Sequence, residues 1–304
     1  MFNMKISVVV CTKNRMEDIM NFTKSLYSQT RLPEQYIIID ASDVPLNQSA
    51  NFNQFFSKPD STELIYVHTK PGLTFQRNIG AGKAKGDIIF FFDDDVILEN
   101  KYLEIMIKAY SNKQQYMGGM GTMTNYERRA LWRMLLSKFF MLQMPLGDGK
   151  FFLSGFPKHP YGQNKFMATE VLSGCMQSYR RKIFTEDGYR FDENLGGYSF
   201  MEDVDFSRRV SFKYPLFYEP AAKCVHLSSP ADRDKIKISL EMYVKNHIYL
   251  FFKNHYKNDK TKIVFLVWSI IGLYVYLGIR KNFKAAIDAW IGLTIGVISK
   301  IEDF

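Results

Sequence analysis

Five apolar residues, Ile88 to Phe92, run without interruption into three consecutive carboxylates, Asp93, Asp94 and Asp95. An apolar run with no alternation suits a strand covered on both faces, as in the interior of a parallel sheet flanked by helices. In open α/β sheets ligands bind at the carboxyl ends of the strands, and three adjacent anionic side chains repel one another unless a cation holds them. The segment therefore points to a metal-assisted site for a phosphorylated ligand. Asp93 and Asp95 point to one side of an extended backbone, and a hard divalent ion commonly takes one or two carboxylates plus phosphate oxygens. A solvated acidic turn, or the start of the helix expected over Tyr102 to Tyr110, is the structural alternative.

Upstream, the pattern is strand, helix, strand. Lys5 to Val10 is a β-branched run that breaks into Cys11-Thr12-Lys13-Asn14-Arg15. Ile19, Phe22 and Leu26 then recur at helical spacing, with Glu17 and Asp18 in the first turn, where the helix dipole favours them. Tyr36 to Ile39 gives a second strand ending in Asp40, which the βαβ rule brings to the same rim as Thr12. Asp40 also reads as an ordinary turn residue. Residues 43–62 are polar and loop-like, Glu63 to His68 is a third strand, and Phe75 to Lys85 is a helix carrying Arg77 and Asn78. Arg77 is placed to neutralise a diphosphate, with a surface cation as the alternative.

At 304 residues with 46% hydrophobic and 15% aromatic content, the chain is far from disordered composition. From Ala231 onward it carries 12 Lys or Arg against 7 Asp or Glu, which accounts for +5 of the net +9. Beside apolar runs, that basic excess favours an anionic membrane over nucleic acid. Cys11, Cys175 and Cys224 form no C-x-x-C pair and suggest neither a disulfide framework nor a zinc site. The sequence opens almost directly on a strand, with no basic segment and apolar h-region, so a cytoplasmic catalytic part is expected.

In the second half, residues 127–141 read as a basic amphipathic helix, either packed on the core with a solvated face or in contact with a membrane or acceptor. Leu146 to Lys165 has the Gly and Pro content of a mobile loop. An apolar strand from Val171 is interrupted at Gly174, where a backbone must approach something closely. Glu202, Asp203 and Asp205 cluster at a helix start after Gly196 and Gly197. Capping explains one carboxylate there better than three, and one of them suits a general base. His226, just beyond an apolar strand, is structural or completes a metal shell with Asp95.

These motifs, in this order, resemble family 2 glycosyltransferases of the GT-A fold over about residues 4–230. The motifs are Ser7-Val8-Val9-Val10-Cys11-Thr12-Lys13-Asn14-Arg15, Asp40, Arg77-Asn78-x-Gly80, the Asp-x-Asp signature at Asp93 to Asp95, the Glu202-Asp203 pair and His226. Cys11-Thr12-Lys13-Asn14 and Asp40-Ala41-Ser42 depart from common family patterns. The resemblance implies a Rossmann-like, mostly parallel sheet flanked by helices in a catalytic domain over 1–230, followed by a helical basic and apolar region over 231–304. It implies that Thr12, Asn14, Arg15, Asp40, Arg77, Asp93 and Asp94 bind a nucleoside-diphosphate sugar. By the same resemblance Asp93, Asp95 and His226 hold Mg²⁺ or Mn²⁺, and Asp203, with Glu202, is the general base of an inverting transfer to a glycan or lipid-linked acceptor. A catalytically inactive nucleotide-sugar-binding subunit is the alternative.

Ile263 to Ile279 is a 17-residue stretch without charge, spanning roughly 26 Å as a helix against a hydrocarbon core of about 30 Å. Ala285 to Ile298 is a second apolar stretch. Lys257, Lys260 and Lys262 precede the first and Arg280, Lys281 and Lys284 follow it, which fits helices lying on, or dipping into, the cytoplasmic leaflet rather than a simple span. A pair of packed helices forming a homo-oligomer interface is the alternative.

Overall fold

In the computed structural model the two apolar runs of the first hundred residues lie side by side. The described residues are 4–49, 59–126, 129–195, 199–229 and 240–279, together with 52, 56, 287 and 290–296. Arg128, the Gly196-Gly197-Tyr198 loop, Arg280, Lys281, Lys284 and, within Ala285 to Ile298, residues 285, 286, 288, 289, 297 and 298 lie outside them.

Strand β1 (Ile6–Thr12) pairs in parallel with β2 (Gln35–Asp40) and with β4 (Ile88–Asp93), and β2 pairs in parallel with β3 (Glu63–His68). Helix α1 (Met16–Tyr27) and helix α2 (Leu73–Lys83) supply the long crossovers that parallel neighbours require. Helix α2 approaches β1 closely because residue 80 is glycine. A Cβ there would meet Val9 Cγ1 at 2.3 Å. Ile88 to Phe92 are all buried, as an unalternating run demands. Phe91 packs against Phe184 and Phe191 on one face, while Phe92 meets Phe22 and Tyr102 on the other.

Beyond β4 the sheet is not mostly parallel, which corrects the expectation from sequence. Among the described residues the nine strands run β3-β2-β1-β4-β8-β6-β9-β5, with β7 on β9. These are β5 (Val96–Leu98), β6 (Gly118–Met123), β7 (Met167–Thr169), β8 (Met176–Arg180) and β9 (Leu216–His226). Strand β8 is antiparallel to both β4 and β6, β9 is parallel to β6, and β5 and β7 are antiparallel to β9. The mixed half arises because β8 is fed from a turn at Ser173 to Cys175 beside the end of β4 rather than by a helical crossover from the far edge. Helix α3 (Tyr102–Asn112) covers this half.

The chain divides into two compact units, Met1–Tyr126 with Gly162–Asp234, and Glu127–Tyr161 with Lys235–Phe304. Residues 127–161 thus leave the 1–230 domain expected from sequence and join the C-terminal region. The reason is hydrophobic. Phe140, Leu142 and Phe156 form a cluster with Tyr243, Trp268, Leu273 and Tyr276. This second unit contains helix α4 (Leu131–Phe139) and, after the short helix α5 (Lys182–Thr185) and helix α6 (Glu202–Ser211) of the first unit, helices α7 (Leu240–Phe251) and α8 (Lys262–Ile279). The 146–161 segment, expected as a mobile loop, is hydrogen-bonded across itself, with Leu146 N–H donating to Tyr161 O and Gly147 N–H to His159 O. Among the described residues no helix is long and apolar enough to cross a membrane.

Phe91 is a buried ring of the parallel half, packed on Phe184 and Phe191. Phe91→Ala is expected to lower the unfolding free energy by about 3–5 kcal/mol, measured by denaturant unfolding. A loss below about 1 kcal/mol would show that the strand is not the core of its unit.

Candidate active site

The carboxyl ends of β1, β2 and β4 meet at one rim, and β9 delivers a fourth chain segment to it. Val96 pairs with His226 in the β5–β9 ladder, and Leu227 N–H donates to Asp95 O at 2.9 Å. This pairing sets the imidazole beside the carboxylates. His226 Nε2 lies 3.0 Å from Asp95 Oδ1 and 3.9 Å from Asp93 Oδ2. One ligand atom from each of Asp93, Asp95 and His226 falls within 4.8 Å of the others. Two carboxylates and one imidazole, all able to present a lone pair to one point, suit a divalent ion such as Mn²⁺ or Mg²⁺.

Asp94 turns the other way. It is buried, accepts from Thr12 Oγ1 at 2.7 Å and pairs with Arg15 Nη1 at 2.8 Å. Burial pushes its carboxyl up to about 7, with Arg15 and the Thr12 hydroxyl pulling against it. Arg15 also lies 3.6 Å from Asp95 and donates to Ser229 O, while Ser229 N–H donates to Asp95 Oδ2. The chain beyond His226 is therefore latched to the aspartates through Arg15 and Ser229.

Arg77 meets the rim at Asp93. It is buried, and its guanidinium holds Glu202 Oε1, Asp93 Oδ1 at 3.0 Å and Gly174 O at 2.9 Å. Glu202 is buried with it, and its Oε2 has no hydrogen-bond partner among the described residues. Burial raises its carboxyl from 4.5 to about 8 even though Arg77 opposes the shift. Asp203, the next residue, is half-buried. Its Oδ2 accepts from Gly174 N–H at 2.7 Å and its Oδ1 from Val204 N–H at 2.8 Å. Burial raises its carboxyl and those two N–H groups counter the rise. Gly174 thus serves both sides, its N–H on Asp203 and its carbonyl on Arg77. A Cβ at 174 would sit 2.8 Å from Glu202 Oε1, which explains the glycine that interrupts the run from Val171.

Asp40 and Asn14 stand apart from this cluster. Asp40 is fully buried and accepts from Ser42 N–H, Leu46 N–H and the Tyr66 hydroxyl. Asn14, at φ 55°, ties the β1 loop to the β2 loop through Asp43 and Ser42. Both side chains shape the rim by holding its loops.

A sequence profile for Glycosyl transferase family 2 matches residues 7–188. The chain belongs to this family. The family 2 glycosyltransferase is 26% identical over 249 residues to "Uncharacterized glycosyltransferase YwdF" of Bacillus subtilis (strain 168), covering 81% of this chain and 82% of that one. It is also 26% identical to the cholesterol galactosyltransferase of Borreliella burgdorferi, over 95% of this chain and 84% of the relative. The glucosyl-dolichyl phosphate glucuronosyltransferase of Haloferax volcanii is 26% identical over 64% of this chain and 58% of its own. Among solved structures, GalNAc-T7 with UDP, GalNAc and Mn²⁺ superimposes with TM-score 0.56 at 15% identity, over 80% of this chain and 47% of that one. S. aureus TarS 1–349 gives TM-score 0.51 at 15% identity, over 90% and 72%. The chain spans 44% of the longer TarS chain. These structural likenesses show the mixed α/β fold.

Sequence reasoning did not anticipate the latch of Arg15 and Ser229 on Asp95, nor Asn78, whose amide grips both the N–H and the carbonyl of Phe191. Asn78 was visible only as part of a motif. Its hold on the segment leading toward α6 needs coordinates.

Arg77→Met should destabilise the first unit by about 3–5 kcal/mol, because it strands two buried or half-buried carboxylates. Adding Glu202→Gln should recover part of that loss, read as coupling in a double-mutant cycle. Full additivity of the two changes would show that the pair is not coupled. Because folded Glu202 holds its proton more tightly than the unfolded chain does, the stability this contributes is present in acid. It is lost as pH rises from the ordinary carboxylate range through about 8. Glu202→Gln should flatten that decline in thermal unfolding scans, and an unchanged slope would count against it.

Proposed function

We propose that this family 2 glycosyltransferase moves a sugar from a nucleoside-diphosphate sugar to a hydroxyl of a glycan or lipid-linked acceptor, with inversion, in cell-surface polysaccharide synthesis. The observation that carries the reading is the meeting of Asp93, Asp95 and His226 from distant parts of the chain, with ligand atoms within 4.8 Å. GalNAc-T7, of similar fold, is solved with UDP, GalNAc and Mn²⁺. Two relatives are named for lipid acceptors, cholesterol and a dolichyl phosphate.

Asp93, Asp95 and His226 would hold Mg²⁺ or Mn²⁺. The ion would offset the negative charge that gathers on the diphosphate as the glycosidic bond breaks. Thr12, Asn14, Arg15 and Asp94 act on the donor indirectly, by holding the rim loops and the Asp95 carboxylate in place. Asp40 does the same for the loop after β2. Asp203 accepts the proton of the acceptor hydroxyl. A carboxylate has about four lone-pair positions, so its two backbone N–H partners orient it and leave room for that proton. Its raised pKa brings it closer to the working pH of a general base. Arg77 and Glu202 position Asp203 relative to Asp93. The C-terminal region, basic and apolar, sets the enzyme against the cytoplasmic face of the cell membrane as a peripheral protein, with oligomerisation through its helices as the alternative.

A panel of nucleotide sugars with Mn²⁺ or Mg²⁺, scored for slow hydrolysis and thermal stabilisation, identifies the donor. Asp203→Asn should keep donor binding and lose about 10²- to 10⁴-fold in kcat. Asp95→Ala should abolish metal-dependent donor binding. Equal turnover by wild type and Asp203→Asn would refute the base assignment.

A further inference from the structure

Helix α4 turns its large apolar side chains outward. Leu131 is 72% exposed, Leu135 59% and Phe139 63%, with Trp132 beside them at 48%. Ser137, on the opposite side, is buried. A surface helix of a water-soluble domain has the reverse arrangement, with its apolar stripe toward the core. The expectation of a core-packed helix with a solvated polar face therefore fails here.

Helix α8 repeats the pattern. Val264, Val267, Ile271, Val275 and Ile279 are exposed at three- and four-residue spacing, while Leu266, Ile270 and Leu277 pack with Val244, Ile248 and Phe251 of α7. The two outward stripes adjoin within their unit. The Phe139 and Trp268 rings are 5.3 Å apart, and Trp268 Nε1–H donates to Phe139 O at 2.9 Å. Trp268 lies one turn from Val264 and just short of one turn from Ile271 on the same side of α8.

Charge identifies what covers this surface. Between Arg129 and Gly147 the chain carries Arg129, Arg133 and Lys138 and no carboxylate. Arg133 lies over the Trp132 ring at 5.3 Å, and Lys138 is exposed. Lys138, three residues from Leu135, lies on the outward side with the stripe, and in a symmetric pair of copies centred there the two ammonium groups would oppose each other. Anionic headgroups instead compensate them, and a bilayer interface suits tryptophan and phenylalanine beside basic side chains. No described helix is long enough and apolar enough to cross a membrane, so the surface lies along the bilayer.

We infer that the outward stripes of α4 and α8 together seat in the headgroup region of an anionic bilayer, so that a segment from the middle of the chain forms half of the docking surface. This rests on the membrane-side placement proposed above and names the elements that carry it.

The test is flotation of the full chain with vesicles of phosphatidylcholine and phosphatidylglycerol in a roughly two-to-one mixture. Its companion is a variant with Leu131→Ser, Leu135→Ser and Phe139→Ser, all at exposed positions. Wild type should float with the anionic vesicles and bind phosphatidylcholine alone less. The triple variant should bind the anionic vesicles at least about tenfold more weakly. Tryptophan emission of wild type should shift to the blue on adding anionic vesicles, and Trp132→Ala should reduce that shift. Nucleotide-sugar hydrolysis without lipid should be the same in wild type and the triple variant. Three results would overturn the inference: no flotation of wild type, undiminished flotation of the triple variant, or a wild-type dimer that the triple variant converts to monomer. Flotation as expected with no donor hydrolysis would defeat the transferase reading and leave the docking surface standing.

Discussion

The guanidinium of Arg77, buried beneath the rim, reaches Asp93 at the end of β4, Glu202 at the start of α6 and the carbonyl of Gly174. A charge in that position is tolerable only if carboxylates and carbonyls surround it, so the three segments cannot move independently. The forked donor geometry of arginine fixes their spacing in a way a lysine would not. Gly174 passes the constraint on, because its N–H holds Asp203. The acid at 203 and the carboxylate at 93 are thus joined by one guanidinium and one glycine, although 110 positions separate them in the chain.

A second constraint closes the opposite side. β9 returns to the rim through its ladder with β5, and the hydrogen bonds of Leu227 and Ser229 to Asp95 hold His226 in register with the aspartates. Arg15 binds Asp94, Asp95 and Ser229 at once. The acidic triplet is therefore divided by its surroundings. Asp94 is turned inward against a cation and a hydroxyl, while Asp93 and Asp95 are turned toward the imidazole. Three adjacent carboxylates need such a division, since without it their mutual repulsion would oppose folding at this strand end.

Much of this was legible in the sequence because it depends on local pattern. The unalternating Ile88 to Phe92 run gives a strand buried on both faces, the 3.6-residue period gives α1, and the carboxyl-end rule collects Thr12, Asp40 and Asp93 on one rim. What was not legible depends on where a side chain points and on pairing across long separations. The hold of Arg77 on Glu202, Asp93 and Gly174 has no mark in the sequence. Nor do the bonds that Asp40 accepts from Ser42, Leu46 and Tyr66. The antiparallel insertion of β8 leaves no periodicity signal, since five residues are too few to show one. The departure of residues 127–161 from the first unit follows from ring packing on α7 and α8, which no linker composition marks.

Most of the chemistry depends on whether Asp93, Asp95 and His226 act as one metal site. The direct measurement is binding of Mn²⁺, followed by its electron paramagnetic resonance signal, to wild type and to His226→Ala in the presence of UDP. Wild type is expected to sequester one Mn²⁺ per chain, and losing the imidazole should weaken that binding. Equal binding by the two proteins, or no sequestered ion in wild type, would contradict the site.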